Sequence, residues 1–192
     1  MRDEKIVTVF GSSRPEEGDA DYEEARELGK SLAKLGLAVC TGGYGGTMEG
    51  ASRGAKEAGG KTYGVTTEFF GRNANAWVEV EVRKQTWDER LFTLIEMGDA
   101  FVACKGGTGT LAELAVVWEM LNKGVMAAKP MVVLGGFWRP ILERVREVEQ
   151  GPKNKSGSRV WAEAGANLVH VVETVEEAAK FLGEKLRVEN RK

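Results

Sequence analysis

The chain has one histidine, two cysteines and four prolines among its 192 residues, and no apolar run approaches the roughly 20 residues that span a bilayer. Each scarcity removes a class of function. Cys40 and Cys104 end two predicted strands without C-x-x-C spacing, and a zinc site needs more ligands than two cysteines supply. A Ser-His-Asp device would have to use His170, which falls inside a strand far from any glycine loop, and no G-x-S-x-G elbow supplies the serine. His170 therefore reads as structural. Neither charge sign is in excess: 27 basic against 29 acidic residues give a formal net charge of −2. No electrostatic ground exists for a nucleic-acid or anionic-membrane partner. The opening "MRDEKIVTVFGSS" shows no long apolar core after its charges, so no signal peptide is visible and a cytoplasmic location is expected. The sequon at Asn154 carries no weight without secretion.

What is abundant is glycine, with 25 residues, in a chain that is 42% hydrophobic and 29% charged. That composition suits one soluble domain with a real core. Short β-branched runs alternate with stretches of helical period. "KIVTVFGSS", "LAVCTGG", "KTYGVTT", "WVEVEVRK", "AFVAC", "KPMVVLGG" and "NLVHVVE" read as strands. Between them lie helical patterns, the first placing Ala25, Leu28, Leu32 and Leu35 on one face before the stop at Gly36. "TMEGASRGAKEAGG" reads as a helix weakened by its glycines, and "WRPILERVREVE" as one interrupted at Pro140. "TEFFGRNANA" and "EQGPKNKSGSR" read as mobile rim loops. The near-continuous apolar strands predict an α/β fold: a Rossmann-like three-layer sandwich, mostly parallel sheet with helices on both faces. No linker or repeat divides residues 1–192, which read as a single domain.

Ligands in such folds sit beyond the carboxyl ends of the strands. Three glycine-rich turns occur there. In "KGGTGT", Gly106, Gly107 and Gly109 permit close approach of another group, and the following helix adds its N-terminal dipole. Thr108 and Thr110 offer hydroxyls, with Thr110 a candidate cap. The stretch is an anion cradle or simply a strand-to-helix turn. It is not a Walker loop, because Gly-Lys-Ser/Thr is missing. Gly107, Gly109 and Ala112 fit G-x-G-x-x-A, yet the next strand ends without a ribose-binding acid, so a mononucleotide or sugar phosphate fits better than NAD. "TGGYGGT" repeats the grammar with Gly43, Gly45, Gly46 and the candidate cap Thr47, while "GSSRP" supplies Gly11, Ser12, Ser13 and Arg14. Glu113, soon after the glycine loop, reads from position alone as a dipole-satisfying surface carboxylate or as an acid of the cleft. Arg90 stands out from its neighbours in no way that composition or period reveals. Trp77, Trp87, Trp118, Trp138 and Trp161 read as core and interface aromatics.

"KGGTGTLAE", residues 105–113, resembles the PGGxGTxxE motif of the Lonely Guy (LOG) cytokinin-activating phosphoribohydrolases, once labelled lysine decarboxylases. "TGGYGGTMEGASRGAKEAGG" is similar to that family's earlier glycine loop and helix, and the likeness runs from the first strand to "VVLGGF". The resemblance implies a Rossmann-like domain that forms homodimers or assemblies of dimers such as tetramers. The apolar helix "LAELAVVWEMLNKGVM" suits such an interface. It implies hydrolysis of the N-glycosidic bond of a nucleoside 5′-monophosphate, without metal or cofactor. The family pairs an arginine in an M-H-x-R-K stretch with the motif's final glutamate. These positions fall on Arg90 and Glu113, 23 residues apart. The decarboxylase label is rejected, because no lysine sits in a recognisable pyridoxal-phosphate site. Three departures mark a sibling branch: Lys105 replaces the proline, Leu91 replaces the lysine of M-H-x-R-K, and the loop carries GTG rather than GYG. That branch includes molybdenum-cofactor carrier proteins, which bind an anionic phosphorylated ligand without hydrolysing a nucleotide.

Overall fold

In the computed structural model, which describes residues 4–149 and 168–186, seven strands form one wholly parallel sheet in the order β4-β3-β2-β1-β5-β6-β7. The strands are β1 (Ile6–Phe10), β2 (Ala38–Thr41), β3 (Thr62–Thr67), β4 (Val80–Lys84), β5 (Ala100–Ala103), β6 (Met131–Leu134) and β7 (His170–Val172). The helices are α1 (Ala20–Lys34), α2 (Thr47–Glu57), α3 (Trp87–Met97), α4 (Thr108–Asn122), α5 (Arg139–Glu149) and α6 (Val175–Leu186). The α/β sandwich read from the sequence is the observed fold.

Alternation along β1 shows how the layers arise. Ile6 and Phe10 face a core completed by Leu94 of α3, Leu114 of α4 and Leu142 of α5. Val7 and Val9 face the opposite core, closed by Leu28 of α1, Ala51 of α2 and Leu182 of α6. A central parallel strand must be apolar on both sides, which is why it reads as a continuous hydrophobic run. The chain winds outward from β1 to β4, then returns to lay β5 against the other side of β1, with Val7 opposite Ala100 and Phe10 opposite Ala103. The crossover direction reverses between β1 and β5, and their carboxyl ends open a crevice.

Several local expectations change. The glycines of α2 do not interrupt it; they let α1 and α2 cross at backbone contact. A methyl group on Gly54 would lie 1.7 Å from the Arg26 carbonyl oxygen, and one on Gly29 would lie 2.0 Å from that of Ala51. Pro140 does not break α5 but lies in its first turn, where a missing N–H costs nothing. β4 takes only the second half of "WVEVEVRK". Before it, Thr62 holds the chain by donating to the Trp77 carbonyl (2.7 Å) and accepting from the Glu79 amide (2.9 Å). In "TEFFGRNANA" a 3₁₀ turn spans Glu68–Phe70, and the Asn75 amide group donates to the carbonyls of Gly43 (3.1 Å) and Tyr44 (2.9 Å). That loop is thus tied to the one after β2. Residues 150–167, which hold most of "EQGPKNKSGSR" with Asn154 as well as Trp161, lie outside the described residues.

Candidate functional site

A cleft of about 1160 Å³ opens where β1 and β5 end. Its floor is "KGGTGT". β5 stops at Ala103, and α4 begins at Thr108 with Gly107 at its N-cap and no side chain capping it. The Leu111 amide is the first to close a helical bond, on the Gly107 carbonyl (2.9 Å). The amides of Thr108, Gly109 and Thr110 precede it and have no intrahelical acceptor. All three residues line the cleft, with the positive end of the helix behind them. Thr110 is no cap. It is buried against Gly106, where an added methyl group would meet its hydroxyl at 2.1 Å, while still contributing to the lining.

Beside this floor lie Arg90 and Glu113. The capping box of Thr86 and Glu89 fixes the start of α3, which carries Arg90 inward to 6% exposure. Its Nε donates to the Val65 carbonyl (2.8 Å) and its Nη2 to that of Gly42 (3.1 Å). The guanidinium lies 5.5 Å from the Tyr44 ring centroid and 6.0 Å from that of Phe70, within cation–π reach. Its Nη1 is 3.7 Å from Glu113 Oε1, and the Glu113 side chain is 13% exposed. Glu113 accepts no hydrogen bond among the described residues, so its oxygens can take a water or ligand hydroxyl. Burial pushes the Glu113 carboxyl up to about 7, against the pull of Arg90. Burial likewise draws the Arg90 guanidinium down from its ordinary value, with Glu113 opposing.

The lining contains Gly11, Ser12 and Ser13, together with Gly106, Gly107, Thr108, Gly109 and Thr110. Ser12 joins the loops: its amide donates to the Lys105 carbonyl (3.3 Å), and its carbonyl accepts from the Thr47 amide (2.8 Å). Gly43, Gly45, Gly46 and Thr47 lie behind the wall, and only Tyr44 and Met48 from this region reach the cleft. Several of their backbone groups are already engaged. The Gly43 amide donates to the Thr41 hydroxyl (3.1 Å), the Gly43 carbonyl serves Asn75, and the first amide of α2 serves Ser12. The glycines bring backbone to backbone: a methyl group on Gly46 would lie 2.3 Å from the Ser12 carbonyl oxygen.

An aromatic rim, not among the expected site residues, surrounds the opening. Phe70, Trp87 and Phe137, between 40% and 48% exposed, line the opening with Tyr44. Trp87 is thus a cleft residue rather than a core one, whereas Trp118 and Trp138 are buried as expected. Trp138 Nε1 donates to the Cys104 carbonyl (2.9 Å), which fixes the neighbouring Phe137 above the end of β5. A glycine-flanked tyrosine and phenylalanines in aperiodic loops were the available signals.

The SLOG cluster4 family model matches residues 4–161. The chain belongs to the SLOG cluster4 family. It is 31% identical over 148 residues to the cytokinin riboside 5′-monophosphate phosphoribohydrolase of Rhodococcoides fascians, covering 73% of this chain and 74% of that one. The molybdenum cofactor carrier protein of Chlamydomonas reinhardtii superposes with a TM-score of 0.70 at 26% identity, covering 96% of this chain and 99% of that one. The molybdenum cofactor binding protein of Rippkaea orientalis superposes with a TM-score of 0.69 at 25% identity, covering 97% and 99%. This SLOG chain is therefore LOG-like and close in fold to the cofactor carriers. Among its described residues, no group of three or more histidine, cysteine, aspartate or glutamate side chains is placed to hold a metal, and no helix is long and apolar enough to cross a membrane.

Proposed function

We propose that this protein is a phosphoribohydrolase that cleaves the N-glycosidic bond of a nucleoside 5′-monophosphate. The observation that carries the reading is the buried Arg90–Glu113 pair beside an uncapped glycine-rich helix start. The 5′-phosphate sits on the first-turn amides of α4, aided by the Thr108 hydroxyl. The ribose then lies over Glu113. As the bond from C1′ to the base nitrogen breaks, positive charge develops on the ribose, and the Glu113 carboxylate opposes it. Glu113 also orients and deprotonates the water that attacks C1′, giving ribose 5-phosphate, while the base leaves with a proton. Arg90 positions Glu113 and holds it ionised more readily than burial alone would allow. The aromatic rim suits the flat face of a base.

The second reading is a carrier that binds a phosphorylated ligand without turning it over. It is favoured by the near full-length match to the two cofactor proteins. It is also favoured by a cleft volume above the range of about 300–1,000 Å³ usual for small-ligand pockets. Incubation with a panel of nucleoside monophosphates, with free base and ribose 5-phosphate both quantified, separates the readings. Release of both products supports the hydrolase. Retention of a phosphorylated ligand without products from any nucleotide supports the carrier.

A further inference from the structure

Lys105 stands at the first position of the cleft floor, where the resembling motif carries proline, and it lines the cleft together with Asp21 from the first turn of α1. Its Nζ lies 2.9 Å from Asp21 Oδ2, and the two side chains are 55% and 36% exposed. The Lys105 backbone is fixed, since its carbonyl accepts from the Ser12 amide. The side chain alone is free to move, on a flexible four-carbon stem. Asp21 therefore holds a mobile cation at the edge of the anion cradle.

The geometry points to Lys105 as a phosphate-binding residue of this cleft, kept in reserve by Asp21 in the free protein and transferred to the ligand's phosphate on binding. The inference rests on the phosphate cradle proposed above. Magnitudes favour the exchange. A partly exposed ion pair is weak, whereas charge-assisted bonds to a phosphate oxygen are among the stronger hydrogen bonds. A phosphate carries up to two negative charges at neutral pH, so it outcompetes the single carboxylate of Asp21. Asp21 also restrains affinity in the empty cleft, since it both occupies Lys105 and presents a negative charge to an incoming anion. The other cationic side chains of the lining are placed differently: Arg90 is buried and engaged, while Arg14 and Arg72 lie on other loops.

The test measures binding of ribose 5-phosphate and of inorganic phosphate by calorimetry, with ribose as the phosphate-free control. The proteins are the wild type, K105M, K105R, D21N and the D21N/K105M double variant. All three single changes fall on half-exposed side chains, and melting curves verify folding. The expected result is that K105M weakens both phosphate ligands about tenfold and K105R recovers part of the loss. D21N strengthens binding several-fold, and that gain shrinks when Lys105 is absent. Ribose binding is the same in all five. Unchanged phosphate affinity in K105M overturns the inference while leaving the cradle intact. So does a D21N gain of equal size with and without Lys105. Failure of the wild type to bind either phosphate ligand overturns the cradle itself, and the inference with it.

Discussion

Arg90 Nη1 and Glu113 Oε1 lie 3.7 Å apart at the base of the cleft. That is close enough for charges to interact and too long for a hydrogen bond. Arg90 is anchored instead by the Val65 and Gly42 carbonyls, which leaves the carboxylate of Glu113 available to ligand or water. A pair built only for stability would be expected to close into a bidentate contact.

The first prediction concerns Glu113 itself. E113Q removes the base and the charge while keeping size and shape. Turnover should fall by about 100-fold or more, with ligand affinity changed only a few-fold. Steady-state rates alongside equilibrium binding of ribose 5-phosphate check this. A parallel loss of binding would assign Glu113 to the pocket wall instead.

The ionisation of Glu113 gives a second. Its folded value, about 7, lies above that of an unfolded glutamate. A raised carboxyl value means that the neutral form is the one the fold tolerates. Its contribution to stability is therefore complete below the unfolded value of about 4.3 and is lost as pH rises through about 7. Relative to wild type, E113Q should gain up to about 1.4 kcal/mol per pH unit across that window and nothing further above it. Denaturant midpoints from pH 4 to 9 read the stability. Carboxyl NMR of the ligand-free protein reads the titration without interference from substrate phosphate. For the hydrolase, kcat/KM should rise with pH to a plateau above about 7.

Gly42 supplies a third, because its absent side chain makes room for Arg90. A methyl group there would lie 1.7 Å from Arg90 Nη2 and 2.7 Å from Met48 Sδ. G42A should displace the guanidinium and lower kcat by about 100-fold, although residue 42 does not line the cleft. A G42A enzyme of wild-type activity would show that the position of Arg90 is immaterial.

The fourth prediction tests the α1–α2 crossing. On helix propensity alone, G54A should stabilise by about 1 kcal/mol. The clash with the Arg26 carbonyl reverses the sign, and a net loss of about 1–3 kcal/mol is expected. Thermal melting decides the direction.

The layers of this fold were legible because a parallel strand buried on both faces has little alternative to a run such as "KIVTVF". The order of the strands was not, since pairing of β1 with β5 is a long-range event that leaves no local signature. "KGGTGT" could be assigned to the cleft because it joins a strand to a helix. "TGGYGGT" has the same grammar, yet Gly42 closes on Arg90, Gly43 on Thr66 and Gly46 on Ser12. Glycine marks close approach without saying what approaches. Pro140 misled because helix start and helix break use the same residue. Arg90 is invisible to periodicity, since its burial depends on carbonyls from Gly42 and Val65 that arrive from distant segments.

The central claim is that Glu113 and the α4 cradle act together on a nucleoside monophosphate. The most direct measurement is the yield of free base and of ribose 5-phosphate from the best nucleotide of the panel, for wild type and E113Q under ligand-saturating conditions. The account predicts equimolar products from the wild type and at least about 100-fold slower release by E113Q. Equal rates from the two proteins, or a bound nucleotide that the wild type leaves intact, would contradict it.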